Sequence, residues 1–237
     1  MKTKPLDQSQ AKFGGFRLEA FAFLRELGRN NNKAWFDAHK QEFKTLVEAP
    51  AYAFAAEVCR CLSATYSDIP RINAKVFRIY RDVRFSQDKS PYKTHVGIRF
   101  SEDASRGCAA PFFYVHLDVQ KLMLVVGIKE FDAPTRSRFR DAVMDNVKGN
   151  KLGSIVAELK KGGLIVTGEM SAKVPRGFPP DHERADLLCY DGLYAESTQG
   201  IPALVHSHGF PDYCVGRFGK AKKLYDWLKL LCAQQGR

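Results

Sequence analysis

The feature that most narrows the fold of this chain is a change of hydrophobic period along it. Up to about residue 66 apolar residues recur at helical intervals, from 76 to 129 they alternate with polar ones, and afterwards the helical period returns. Phe16, Phe21, Leu24 and Leu27 predict a first helix ending at Gly28, a residue suited to the left-handed position just past a helix end. Asn30, Asn31 and Asn32 offer N-cap oxygens for a second helix carrying Trp35, Phe36, Phe43, Leu46 and Val47. Pro50 marks a break before a third, with Tyr52, Phe54, Val58 and Leu62 on its apolar side.

From Val76 to Phe85 the odd positions Phe77, Ile79, Val83 and Phe85 are apolar while Arg78, Tyr80, Asp82 and Arg84 are polar. That is the pattern of a strand covered on one face. Arg81 interrupts it, implying either a bulge or an inward arginine paired with a carboxylate. After the turn-rich link 86–91, Val96, Ile98 and Phe100 alternate with His95, Gly97 and Arg99. Phe112 to Asp118 and Leu122 to Lys129, joined through Val119, Gln120 and Lys121, read as a hairpin. If these runs share one sheet, its apolar face packs on helices. The other face gathers Arg78, Tyr80, Asp82, Arg84, His95, Arg99, Tyr114, His116 and Asp118.

The last hundred residues read as helices with an interruption. A helix is expected over 132–147 with Pro134 near its start, a shorter one over 154–160 ending at Gly162-Gly163, and a last one over 220–234 burying Leu224, Trp227, Leu228 and Leu231. Between them runs a Pro-rich loop, 173–182, that cannot be helical. The expected architecture is α+β, an antiparallel sheet of about four or more strands with helices packed on one face and helical segments at both ends. It divides into a flexible segment 1–15 and a single domain 16–237: helical over 16–66, mainly β over 76–129, mainly helical over 132–234.

The formal charge of +11 is concentrated rather than diffuse. Residues 71–100 hold eight basic and two acidic side chains and residues 217–237 hold six and one, while the remainder balances. A basic C-terminal helix reads most simply as a solvated face. The central cluster, interleaved with aromatic and β-branched residues, points instead to an anionic ligand. Six cysteines with no C-x-x-C pair argue against a zinc ribbon or a thioredoxin-type site and read as buried thiols. His206-Ser-His208 lies in a turn-like stretch without further ligands at a regular offset, so no metal site is assigned. No run approaches the roughly 18 apolar residues of a membrane helix, and the first fifteen residues lack the apolar run of a secretory signal. A cytoplasmic protein without a membrane partner is expected.

The densest chemistry lies between Arg78 and His95. Arg78, Arg81 and Arg84 present planar donor forks suited to phosphate or carboxylate, and Lys89 and Lys93 add point charge. Asp82 and Asp88 can orient those arginines, coordinate a divalent cation, or act as a general base if burial or neighbours raise a pKa. Ser90-Pro91-Tyr92 reads as a rigid turn placing Tyr92 at the rim of the site. Asp82, His95 and His116 are the candidate acid/base groups. Arg78, Arg81, Arg84, Asp88, Lys89, Tyr92, Lys93, Tyr114 and Arg176 are the candidate ligand-binding set. The structural alternative is a salt-bridge network in which Asp82 and Asp88 simply hold the arginines.

The run R-x-x-R-D-x-R-F, from Arg78 to Phe85, followed by D-K-x-P-Y-K, from Asp88 to Lys93, resembles the signature of DUF2461, a family of bacterial and fungal proteins. Asn31, Asn32, Trp35 and Phe36 are similar to its N-N-x-x-W-F pattern. Tyr114, His116 and Gly127 fit its central hairpin, and Pro175, Arg176, Gly177, Phe178, Asp181 and His182 its late loop. The chain departs from the pattern at Glu183, where a proline is expected. The resemblance implies no assigned activity, but it groups the central arginines, His116 and the late loop as parts of one site.

Three functions follow. The first is binding, or turnover, of a small phosphorylated or otherwise anionic molecule on the polar sheet face. The second is nucleic-acid binding by the same cluster together with the C-terminal lysines, although aromatic groups for base stacking are limited to Tyr80, Tyr92 and Tyr114. The third is protein interaction, with the Arg/Asp motif purely structural. No Gly-rich phosphate loop, dinucleotide fingerprint or nucleophile elbow is present, so no cofactor is specified.

Overall fold

The computed structural model describes residues 12–69, 71–84, 87–102 and 109–233. The elements in chain order are α1 (Leu18–Arg29), α2 (Lys33–Ala38), α3 (Lys40–Phe43), a π-helical turn (Lys44–Glu48), α4 (Ala49–Thr65), β1 (Asn73–Val76), β2 (Val96–Ser101), β3 (Phe112–Leu117) and β4 (Lys121–Ile128). They continue with α5 (Ala133–Met144), α6 (Asn146–Lys161), β5 (Ile165–Thr167), α7 (Ala185–Leu188), β6 (Leu193–Gly200), a 3₁₀ turn (Ala203–His206), α8 (Phe210–Gly219) and α9 (Lys222–Ala233). The strands form one antiparallel sheet in the order β1-β2-β3-β4-β6-β5, and the fold is α+β. No helix among the described residues is long and apolar enough to cross a membrane.

Packing divides the described residues into two compact units, one within Met1–Phe100, Tyr114–Leu124 and Thr198–Gly216, the other within Ser101–Phe113, Val125–Ser197 and Arg217–Arg237. In the first, Phe54 of α4 meets Phe13, Phe16 and Phe210 at ring-centroid distances of 5.2, 5.6 and 5.0 Å. Phe13 falls inside the segment expected to be flexible and is 6% exposed; residues 1–11 lie outside the described residues.

Asn32 caps α2 as expected, accepting a bond from the Trp35 N–H at 3.0 Å. Gly28 does not terminate α1. The helix runs on to Arg29, and Gly28 has no left-handed backbone. Nor does Pro50 break the chain. It occupies the first turn of α4, where its missing N–H removes no bond, and the π turn just before it absorbs the change of helical register.

The strand expected over 76–85 is the main local correction. β1 lies earlier, at Asn73–Val76, and the chain beyond the Phe77 N–H to Gly97 carbonyl bond (2.9 Å) leaves regular pairing. Only Tyr80 and Tyr92 then pair, through the Arg81 N–H to Pro91 carbonyl and Lys93 N–H to Ile79 carbonyl bonds at 2.8 and 2.7 Å. Asp82 accepts its own downstream N–H, from Arg84 at 3.3 Å, and such an Asx turn competes with a strand ladder. Phe85 is outside the described residues. β2 and the β3/β4 hairpin form where their sequence alternates, but only β3 keeps an alternating burial: β2 is buried along its length and β4 from Leu124 onward.

In the second unit Phe113 packs on Phe218 and Tyr225, and Phe139 on Phe131 and Trp227. The helix expected over 132–147 stops at Met144. Asp132 caps α5, and Asp145 then caps α6 through the Val147 and Lys148 N–H groups. α6 therefore begins well before the expected Ser154 and includes Gly149 and Gly153. β5, β6 and α8 are elements that the sequence reading missed.

Candidate functional site

The polar face of β1, β2 and β3 in the first unit gathers the candidate residues. A bond between the Phe77 N–H and the Gly97 carbonyl sets the β1/β2 register and places Lys75 opposite Arg99. On β3, Tyr114 and His116 share a face. Gly97 lies under Tyr114: a Cβ at that position would sit 2.7 Å from the Tyr114 hydroxyl. One position along, His95 and His116 stack with ring centroids 4.1 Å apart and planes at 27°. The floor is therefore Phe77, Gly97 and Tyr114, with Phe77 edge-on to Tyr114 at 6.1 Å, and the imidazole pair stands beside it.

Around this floor lie cations that the fold does not neutralise. Lys75 Nζ and Lys93 Nζ stand 5.3 and 5.6 Å from the Phe77 ring centroid. Lys93 Nζ donates to the Arg78 carbonyl at 3.0 Å, and its pKa is lowered by burial and then by Arg78, Arg81 and Lys75. Arg99, 7% exposed, has neither a hydrogen bond nor an ion pair among the described residues. A buried unpaired charge, directly opposite another cation, works against folding.

The residues predicted as the anion clamp are largely occupied. Arg84 pairs with Asp82 at 2.7 Å and Arg81 with Asp88 at 2.8 Å, while Lys89 Nζ donates to the Val83 carbonyl at 3.0 Å. Asp88 also accepts from the backbone and hydroxyl of Ser90 at 2.9 and 2.6 Å. The side-chain and backbone bonds from Arg84 pull the Asp82 pKa down to about 2, the opposite of what a general base requires.

Tyr92 is not at a rim. It is 3% exposed and stacked on Phe36 at 4.1 Å, and both its backbone groups are held by the Asn31 amide: Tyr92 N–H to Oδ1 at 3.0 Å and Nδ2 to the Tyr92 carbonyl at 2.9 Å. The Asn31 side chain thus acts as a strand partner for the loop, joining two separate motif segments. Replacing Asn31 by Ala leaves the Tyr92 N–H unmade and its carbonyl with only the long bond from Arg81 Nη2 at 3.5 Å, and should cost about 2–3 kcal/mol in urea unfolding.

His116 and Asp118 form the best-ordered acid/base arrangement. His116 Nε2 lies 3.1 Å from Asp118 Oδ2, and Asp118 Oδ1 accepts the Gln120 and Lys121 N–H groups at 2.7 and 2.8 Å. Burial opposes Asp118 ionisation, but those backbone bonds and His116 outweigh it and hold the pKa below the usual carboxylate range. An ionised Asp118 fixes Nε2 as the protonated nitrogen of a neutral His116. For His95, burial first, then His116, Lys93 and Arg81, push the pKa from 6.5 down to about 4, against the opposing pull of Asp118.

His95 therefore stays neutral in the fold while the unfolded chain protonates it near pH ~6.5. Above that pH it contributes nothing to stability, and as pH falls from there toward about 4 the fold loses stability, on the order of 2 kcal/mol after screening. Urea unfolding of wild type and His95→Gln at about pH 7 and pH 4.5 should show a flatter acid limb in the variant.

Among the other candidate positions, Arg176 is exposed on the late loop and belongs to the second unit. His206 is structural: its Nδ1 lies 2.7 Å from the Phe16 carbonyl and its ring is edge-on to Phe21. Burial pushes the thiols of Cys59 and Cys61 up to about 12, with Asp212 also acting on Cys61, so neither is poised as a nucleophile; Cys108 is outside the described residues. The described residues contain no group of three or more His, Cys, Asp or Glu that could hold a metal ion. Sequence reasoning missed Lys75 as a site residue and noted Arg99 only as part of the polar face. The readable signal was their like charge on facing strands, which needs the register to be seen.

A search of curated proteins finds no match to this chain. The family model described as a conserved hypothetical protein, DUF2461, matches residues 19–227, from the start of α1 to near the end of α9 and through the whole polar face. That span covers most of the 237 residues, and the chain belongs to the DUF2461 family.

Proposed function

We propose that the protein binds a small phosphorylated or otherwise anionic ligand on the polar face of β1, β2 and β3, over the floor of Phe77, Gly97 and Tyr114. The observation that carries this reading is Arg99, a buried residue whose guanidinium has no partner among the described residues, set opposite Lys75 and on the same floor as Lys93. An anion at that place supplies the missing counter-charge, and Arg99 can meet two of its oxygens at once. Tyr114, whose hydroxyl has no hydrogen-bond partner among the described residues, adds a neutral donor.

The basic C-terminal helix supports a discrete site over a polyanion surface. Lys222 pairs with Asp226 at 2.5 Å, Lys223 with Glu158 at 2.7 Å and Lys229 with Glu102 at 2.9 Å. Three of the six cations counted there from the sequence are thus paired within the fold, which weakens the case for that segment as the second half of a nucleic-acid footprint.

Sulfate and inorganic phosphate are suitable probes in a thermal-shift titration, because a ligand that binds only the folded state raises its Tm. Wild type should show saturable stabilisation, Lys75→Met with Lys93→Met should lose it, and Lys222→Ala with Lys223→Ala should retain it. Equal losses in the two double variants contradict the small-ligand reading.

A further inference from the structure

The imidazole pair beside the cationic floor is built differently from two histidines that merely fill space. The rings are stacked face to face at 4.1 Å, so a proton on one strongly disfavours a proton on the other. Of the two, only His116 has a carboxylate at hydrogen-bond distance among the described residues, and that Asp118 is itself clamped by two backbone N–H groups of the β3/β4 turn. The charged groups acting on the pair are Lys93 and Arg81 of the 78–93 loop and Asp118 of that turn. Two cations and one carboxylate surround His95, and a dianion bound on the adjacent floor shifts that local balance toward a charged imidazole pair.

We propose that the His95–His116 pair is a proton-loading element of the anion site: binding of a dianion on the adjacent floor is accompanied by uptake of a single proton from solvent onto His116. The step forms one N–H bond at the imidazole and breaks one in the buffer acid. His116 then carries N–H groups on both ring nitrogens, with Nε2–H directed at Asp118 and the positive charge shared between that carboxylate and the bound anion. His95 stays neutral, because burial and Lys93 act on it without a carboxylate at hydrogen-bond distance among the described residues. Affinity for a dianion therefore rises as pH falls, up to about tenfold per pH unit in the window where the free pair is neutral and the bound pair is charged. A ligand that can use the donated proton, such as a phosphate ester whose leaving oxygen must be protonated, fits this arrangement better than a simple carboxylate.

This inference rests on the anion-binding reading, and sulfate separates the two, because its own charge does not change between about pH 5.5 and 8.5. Sulfate binding to the full chain is measured by isothermal titration at about pH 7 in two buffers of different ionisation enthalpy, which counts protons taken up. The expected result is uptake approaching one proton per sulfate in wild type, uptake near zero in His116→Gln with binding retained, and unchanged uptake in His95→Gln. Asp118→Asn, which keeps an oxygen for the turn N–H groups, should reduce uptake even if His116→Gln fails to fold. Sulfate binding without proton uptake, or uptake that survives both His116→Gln and Asp118→Asn, overturns the proton-loading element and leaves the anion site standing. Absence of sulfate binding in wild type overturns both.

Discussion

Arg99→Met should raise the thermal stability of this protein and abolish its binding of sulfate or phosphate. Both effects have one cause. Arg99 is 7% exposed as a residue and has neither a hydrogen bond nor an ion pair among the described residues, so its guanidinium has given up hydration without a protein partner in return. Methionine has a similar length and fills the same slot without that penalty. Replacing buried charge by an apolar group of similar volume is often stabilising by about 1–4 kcal/mol, and the lower half of that range is expected here because a single charge is removed. In a chain of this size that corresponds to an increase in Tm of roughly 2–6 °C. Affinity should fall by at least about tenfold, the effect of losing one charge-assisted contact worth about 1.4 kcal/mol or more. A destabilised Arg99→Met variant would show that the guanidinium has a structural partner, and the account of the site would lose its anchor.

The second large effect concerns α6, where two glycines four residues apart should respond with opposite sign. Gly149→Ala should destabilise the fold by about 3 kcal/mol or more, while Gly153→Ala should stabilise it by about 0.5–1 kcal/mol. In an open helical position alanine is favoured over glycine, and a Cβ at Gly153 meets nothing within 4 Å. At Gly149 the same Cβ would lie 2.2 Å from the Val143 carbonyl oxygen and 2.8 Å from Arg184 Nε. Those atoms cannot easily yield. Arg184 is 7% exposed and donates from Nε to that carbonyl at 2.8 Å, with Asn150 and Glu183 as further partners. The glycine lets the arginine tie the end of α5 to the start of α6. Urea unfolding of the two variants gives the comparison directly, and a stabilising Gly149→Ala would mean that the arginine does not hold this position.

The elements that could be read from the sequence are those in which local pattern and burial coincide. β2 and the β3/β4 hairpin could be read from their alternating sequence, although β2 proves buried on both faces, and the caps of α2 and α5 follow from Asn32 and Asp132. The misread segment, 76–85, has the same alternation. What differs is competition from its own side chains, because the Asx turn at Asp82 ends the pairing that Phe77 and Ile79 favour. β6 was missed because its sequence, Leu193-Tyr-Ala-Glu-Ser-Thr-Gln-Gly200, is apolar only in its first half and only that half is well buried. Gly149 hid the true start of α6, since a glycine argues against a helix unless the close approach it permits is known.

The membership of the proposed site could not be read from the sequence. The Arg/Asp-rich run leads into the strands of the proposed floor, yet Asp82 and Asp88 consume Arg84 and Arg81 locally. The structural alternative weighed for that motif thus accounts for two of its three arginines. Of the cations without an ion pair among the described residues, Lys75 and Arg99 are 24 residues apart in sequence and meet only through strand register. Tyr92 was misplaced for a similar reason: its environment is set by Asn31 and Phe36, some sixty residues earlier.

The central claim is that an anion belongs above the Phe77–Gly97–Tyr114 floor. Its most direct measurement is a crystal of the full chain soaked in tungstate, a phosphate-like anion located by its anomalous scattering. The account predicts an anomalous peak over that floor within contact distance of Arg99 and of Lys75 or Lys93, absent in Arg99→Met crystals. A peak confined to α9 or to the exposed Arg84, or one unchanged in Arg99→Met, would contradict it.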